Sequence, residues 1–237
     1  MNVLAMDTSN QTMAVAVIQE KKMLGQIQTT VNKNHSKSLM PAIETLMKEI
    51  SMNPQELNRI VVAEGPGSYT GLRIGVTTAK TLADTLNLDL VGISSLKVIA
   101  ANCIERAELI VPIFDARRKN VYAGGYQWRD GQLTQVMEDQ HISLSELLIK
   151  LKDKQVYFVG ADVQNFTEEI QNELPQAIIN QQIIWNYPNG VTLAELGLAA
   201  TPTDIHTFLP RYLKRVEAEE KWLETHELGE ESYVEKI

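Results

Sequence analysis

With 237 residues, 44% hydrophobic and 22% charged, the chain can bury a core as one large domain or two small ones, which excludes wholesale disorder. A single cysteine, Cys103, excludes an internal disulfide, and no signal-like leader or run near the roughly eighteen apolar residues of a bilayer span is visible, so a cytoplasmic address is expected. Of the net charge of −8, most falls on the last 21 residues, with eight Glu and two Lys; taking these from totals of 30 acidic and 22 basic residues leaves 22 and 20, a balance that argues against gripping nucleic-acid phosphates unaided.

Along the chain, Val3–Met6, Met13–Ile18 and Met23–Thr30 are short apolar runs between polar turns, which predicts an antiparallel meander. The first run ends on Asp7, followed by Thr8 and Ser9. After Asn34-His35-Ser36, residues Leu39, Met40, Ile43, Leu46, Met47 and Ile50 recur at three-and-four spacing, predicting a helix with Pro41 in its first turn and Ser36 or Ser38 as cap. His35 starts that helix. A metal there would want a second imidazole at i+4, where Leu39 stands, and His141, His206, His226 and Cys103 are scattered, so no metal site is expected. "RIVVA", residues 59–63, reads as a buried strand. The turn Gly65-Pro66-Gly67-Ser68-Tyr69-Thr70-Gly71 follows, then a helix to about Leu86 and the strand "LDLVGIS".

Near Leu109 the pattern restarts. "LIVPIFDARRKNVYAGGYQW" is again a strand ending in an aspartate, Asp115, then a turn and a second strand in which Gly124-Gly125 marks a bulge or close approach. A strand "QLTQVM", a helix from Ser143 with Glu146 placed for a capping box, a strand "VYFVGAD", a helix near Val163–Glu173 and one over Thr192–Ala200 complete the pattern. Two halves that each begin with an Asp-ended strand resemble a duplicated actin-like architecture, with lobes 1–106 and 107–216 and an acidic tail 217–237.

In actin-like kinases two such hairpins face each other across a cleft and hold nucleotide phosphates. Here Thr8 and Ser9 offer hydroxyls beside Asp7, but Asp115 is followed by Ala-Arg-Arg-Lys, without the glycine that lets backbone approach a phosphate. Asp7, Thr8, Ser9 and Asp115 therefore read as a vestigial phosphate loop, the two aspartates satisfying turn amides. The Gly-rich segment matches no nucleotide fingerprint either. A Walker loop needs Gly-Lys-Ser/Thr five residues after its first glycine, whereas Gly67 is four from Gly71 and Leu72 follows; a dinucleotide fingerprint needs glycine where Thr70 stands. What remains is a helix start carrying Arg73, whose amides either take an anion or are capped by Ser68 or Thr70.

Taken together, "LAMDTS", "HSKSLMPAIETLM", "EGPGSYTGLRIG", "IFDARRKNVYAGGY" and "PRYLKR…EA" resemble the bacterial TsaB (YeaZ) family over nearly the whole chain. The resemblance implies a two-domain actin-like (ASKHA, ribonuclease H-like) α/β fold, an N-terminal mixed sheet with helices and a smaller related C-terminal half. It implies a non-catalytic partner of the paralogous transferase TsaD in threonylcarbamoyl modification of the adenosine next to the anticodon of ANN-decoding tRNAs. The implied partners are TsaD as a heterodimer, the TsaE ATPase and tRNA through the complex, and a second copy when the protein is alone, with no membrane. No intrinsic cofactor is implied; ATP or ADP belongs at the interface with partners. Docking is implied for two helices, through Leu39, Met40, Ile43 and Met47 of the first and Leu72, Arg73, Gly75, Val76 and Ala79 of the second. On that reading Gly75 marks a close approach of helix backbones from two molecules, and Lys80 points outward without consequence. An actin-like small-molecule kinase and a glycoprotease-like metallopeptidase are the alternatives; the glycine-free second loop counts against the first, and the missing histidine pair against the second.

Overall fold

A computed structural model describes residues 1–31 and 34–214; the acidic tail, like all residues beyond Lys214, lies outside the described residues. The first Asp-ended strand, β1 (Asn2–Asp7), pairs antiparallel with β2 (Met13–Gln19), and β2 with β3 (Lys22–Thr29), as the meander predicts. On its other edge β1 pairs parallel with β4 (Arg59–Gly65), and β4 with β5 (Asp89–Ser94), giving the order β3-β2-β1-β4-β5. Burial of β1, β2 and β4 along almost their whole length requires cover on both faces of this sheet. One face is covered by α1 (His35–Glu49) and α2 (Tyr69–Leu86), which bury Leu39, Ile43, Leu46, Met47, Val76, Ala79 and Ala83 against it. The cap of α1 is Asn34 rather than Ser36 or Ser38, its side chain accepting from Ser36 N. An Asx residue there reaches the free amides one turn in, while Ser36 and Ser38 already lie inside the helix.

After the short, buried α3 (Ser95–Ala101), the same topology is built again. β6 (Leu109–Asp115) pairs antiparallel with β7 (Asn120–Arg129), and β7 with β8 (Gln132–Ser143); β6 pairs parallel with β9 (Val156–Val159), and β9 with β10 (Ile178–Ile179). The order β10-β9-β6-β7-β8 repeats the first sheet strand for strand. α4 (Leu144–Leu151) and α5 (Thr167–Glu173), the latter led in by a 3₁₀ segment at 161–166, bury Leu147, Leu148, Leu151 and Ile170 in the second core. This duplication is the two-domain actin-like fold. The pairing register shifts at Gly125, opposite Met137, where the glycine pair predicts a bulge.

The chain then returns. α6 (Gly190–Leu198) crosses to the first sheet and closes its second face, burying Leu193 and Ala194 beside Val3, Ala5, Ile18 and Val61. Arg59, buried at the start of β4, fastens it: Nη1 donates to Gly197 O at 2.8 Å and Ala200 O at 3.0 Å, while Nη2 pairs with Asp89 at 2.9 Å. Residues 203–212 follow as a strap along the same lobe. Thr203 N donates to Leu90 O at 2.8 Å, Phe208 enters the α1–α2 core, and Arg211 N donates to Glu64 O at 2.7 Å. Lys80, read from sequence as an idle outward residue, holds this strap by donating to Phe208 O at 2.7 Å and His206 O at 3.2 Å. Among the described residues no helix is long and apolar enough to cross a membrane.

Candidate functional site

Because each sheet begins with an Asp-ended strand and a hairpin, both hairpin turns open onto one cleft of about 570 Å³. Ser9, Asn10, His35, Ser68 and Tyr69 line one wall; Asp115, Arg117, Tyr122 and Asp162 line the other. Asp7 is wholly buried. Its Oδ1 accepts from Ser9 N at 2.8 Å, and its Oδ2 has no hydrogen-bond partner. Burial pushes its pKa up from 3.8 to about 6, against the hydrogen bonds from Ser9 and the attraction of His35. Asp115 Oδ1 accepts from Arg117 N at 2.7 Å, and Asp115 N donates to Asp162 Oδ2 at 2.9 Å. The turn after it takes Arg117, Arg118 and Lys119 through left-handed backbone, with φ of 71°, 51° and 59°. His35 starts α1, its Nε2 lying 2.8 Å from Asn10 O. Among the described residues no three His, Cys, Asp or Glu side chains gather to hold a metal.

The motif loop answers to its own chain. Gly67, Gly71 and Gly75 are spaced by four and so fall on one line of the loop and α2, and that line is pressed against the first hairpin turn. A Cβ on Gly67 would stand 2.1 Å from Ser9 O, one on Gly71 2.1 Å from Thr8 O, and one on Gly75 2.5 Å from Thr8 Oγ1. Thr8 Oγ1 donates to Gly71 O at 2.7 Å, and Ser68 N donates to Ser9 O at 2.7 Å. Ser68 is also the cap of α2, accepting from Gly71 N at 3.3 Å. The close approach at Gly75 is therefore to the protein's own β1 turn, which corrects the expectation of a contact between two molecules.

Beside the motif loop there is no room for a phosphate, whereas the cleft between the two hairpin turns is open. The space that glycines would leave for a phosphate at Gly67 and Gly71 is filled by Ser9 O and Thr8 O.

Of the residues expected on a docking face, Leu39, Ile43, Met47, Leu72, Val76 and Ala79 are buried within the protein's own lobe, with Gly75 beside them. Their three-and-four spacing marks the inward stripe of each helix, since it is the core that selects apolar periodicity. Met40 and Arg73 face out. The outward side of α2 runs through Tyr69, Thr70, Arg73, Thr77 and Thr81. At its start the Tyr69 ring stacks on Tyr212 of the strap at 4.8 Å, and the Arg73 guanidinium lies 5.6 Å from the Tyr69 ring centre.

Sequence reasoning missed a second polar centre, where the two sheets and the strap converge. Asp139 of β8 accepts from Tyr126 Oη and Ser94 Oγ at 2.5 Å each and from Gln135 Nε2 at 3.0 Å, and pairs with Arg211 Nη1 at 3.4 Å. Glu64, half-buried nearby, is held above the usual carboxylate range, mainly by burial and then by Asp139, against the pull of Arg211. Burial, then the Asp139 charge, pushes the Tyr126 hydroxyl up as well. A glycine faces each carboxylate, Gly92 for Glu64 and Gly124 for Asp139, a pairing that the sequence does not display.

A family model described as TsaD, tRNA N6-adenosine threonylcarbamoyltransferase, matches residues 11–222. The tRNA threonylcarbamoyladenosine biosynthesis protein TsaB of Bacillus subtilis is 43% identical over 227 residues, covering 95% of this chain and 99% of that protein. The Haemophilus influenzae protein of the same name is 26% identical over 189 residues, 71% of this chain and 77% of its own. The solved structure of YeaZ from Pseudomonas aeruginosa superposes with a TM-score of 0.77 at 23% identity, covering 90% of this chain and 99% of its own, and shares the fold. With the repeated sheets and the motifs already described, these likenesses show that the chain belongs to the TsaB (YeaZ) family of tRNA threonylcarbamoyladenosine biosynthesis proteins.

Proposed function

We propose that the protein is a non-catalytic docking partner of a TsaD-type transferase, supporting threonylcarbamoyl transfer to the adenosine beside the anticodon of ANN-decoding tRNAs. The observation that carries this reading is the glycine line of Gly67, Gly71 and Gly75. It packs the backbone of the motif loop and α2 against the β1 turn, and so makes the outward side of α2, with Tyr69 and Arg73, a fixed face. Met40, exposed on α1, and Arg73, exposed on α2, make direct contacts with the partner, while Leu39, Ile43, Met47, Leu72, Gly75, Val76 and Ala79 support the two helices from beneath. The same face pairs two copies when the protein is alone. A TsaE-type ATPase and tRNA join through the complex, and adenine nucleotide is held at the interface with partners, the motif loop of this chain serving no phosphate.

The test is reconstitution. Purified TsaD-type transferase, TsaE-type ATPase with ATP, a threonylcarbamoyl donor and tRNA are assayed for adenosine modification with and without this protein, and the protein alone for ATP hydrolysis and tRNA binding. The expected result is modification that depends on its addition, with neither ATP turnover nor tight tRNA binding by the chain alone. Modification proceeding equally well without it, or ATP turnover lost in Asp7→Ala, would overturn the reading.

A further inference from the structure

We infer that Asp139, buried where the two sheets meet, acts as a positioning residue for partner docking, through a C-terminal strap that completes the docking face; the inference rests on the docking function proposed above. The Asp139 side chain is 0% exposed, yet its four partners come from three separate parts of the molecule. Ser94 is the last residue of β5 in the first sheet, Tyr126 and Gln135 belong to β7 and β8 of the second, and Arg211 belongs to the strap. A carboxylate taken fully out of water needs hydrogen bonds and a countercharge. Three uncharged donors supply the first, and Arg211 supplies the second. The place is built for it: a Cβ on Gly124 would stand 2.2 Å from Asp139 Oδ1.

From Arg211 the contacts lead outward without a gap. Its backbone N donates to the carbonyl of Glu64, the residue that opens the motif loop. The next residue, Tyr212, stacks on Tyr69, the first residue of α2, and Arg73 lies over the same ring. Tyr69 and Tyr212 are 47% and 41% exposed, so the ring pair with its arginine is a half-open cluster of the side chains that most often anchor protein interfaces. The strap thus supplies half of the aromatic pair, and its register against α2 is set by the Arg211–Asp139 ion pair at one point and by Lys80 at another. Releasing Arg211 leaves Tyr212 to be ordered by the partner, which costs affinity although no contact residue has changed.

The test is affinity and dissociation rate for a purified TsaD-type transferase, measured on full-length protein shown to be folded by circular dichroism. Asp139→Asn and Arg211→Ala are each expected to weaken binding about 3- to 10-fold, chiefly through faster dissociation. The double variant should be no weaker than the worse single one, because both cut the same link. Arg211→Lys, which keeps the cation, should restore most of the affinity, a rescue that general loosening of the fold would not produce. Arg73→Glu is the control on the docking face itself. Wild-type binding by Arg73→Glu overturns the docking function. Loss of binding in Arg73→Glu with wild-type binding in folded Arg211→Ala, or in Asp139→Asn, which removes the buried charge together with its need for a countercharge, overturns this inference alone. Additive losses in the double variant overturn it as well.

Discussion

A methyl group on Gly75 would stand 2.5 Å from Thr8 Oγ1 and 3.6 Å from Val62 Cγ2, so a larger side chain there has to push α2 off its own sheet. Replacing a mid-helix glycine gains up to about 1 kcal/mol of helix propensity, while overpacking a core typically costs about 1–3 kcal/mol, so the steric term wins. Gly75→Leu is therefore expected to lower the melting temperature in thermal unfolding; a wild-type melting temperature would place Gly75 on the outer face after all. Asp7 carries a different liability. Its folded pKa of about 6 exceeds its ordinary 3.8, so between these values the native state holds a proton that the unfolded chain releases. Stability therefore falls as pH rises from about 4 to about 6, and above that the full cost of the buried charge, on the order of 3 kcal/mol, is in place. In urea unfolding over this range, Asp7→Asn should gain on the wild type as pH rises and then hold a constant advantage. Parallel profiles for the two proteins would show that Asp7 is ionised at little cost.

At the scale of elements, what was legible is what repeats. α1 and α2 announce themselves because each presents one apolar stripe to a sheet and a polar side to water, and β1 and β6 because an apolar run ends on an aspartate. α4 is legible at its start. Ser143 Oγ accepts from Glu146 N at 3.3 Å and donates to Glu146 Oε2 at 2.8 Å, so Ser143→Ala should cost about 1 kcal/mol in chemical denaturation, with an unchanged midpoint as the contrary result. α3 left no such trace, since all but one of its residues are buried and a helix covered on every side has no polar stripe to set its period. The strap at 203–212 is held largely through backbone groups, which any sequence possesses. The same stripe that identified α1 and α2 misdirected the reading of their surface, because apolar periodicity points to a helix's own core before it points to a partner. Asp139 sits in "VMEDQH", where nothing separates a buried carboxylate from an exposed one.

As a whole molecule, the protein is two copies of one topology stitched together twice, once in passing from β5 through α3 to β6 and again when α6 and the strap come back. The second stitch matters for how the chain is made. Val3, Ala5, Ile18 and Val61 emerge from the ribosome well before the helix that shields them, which ends at residue 198. Until then the nascent first lobe exposes one apolar face of its sheet, the condition under which growing chains aggregate or recruit chaperones. A fragment ending at residue 106 is accordingly expected to be insoluble, or to bind a hydrophobic dye strongly. Co-expressing residues 107–214 in trans should rescue it in part, and a soluble, dye-silent fragment would show that α6 is dispensable. Translation stalled late in this message would leave an unshielded sheet rather than a finished half.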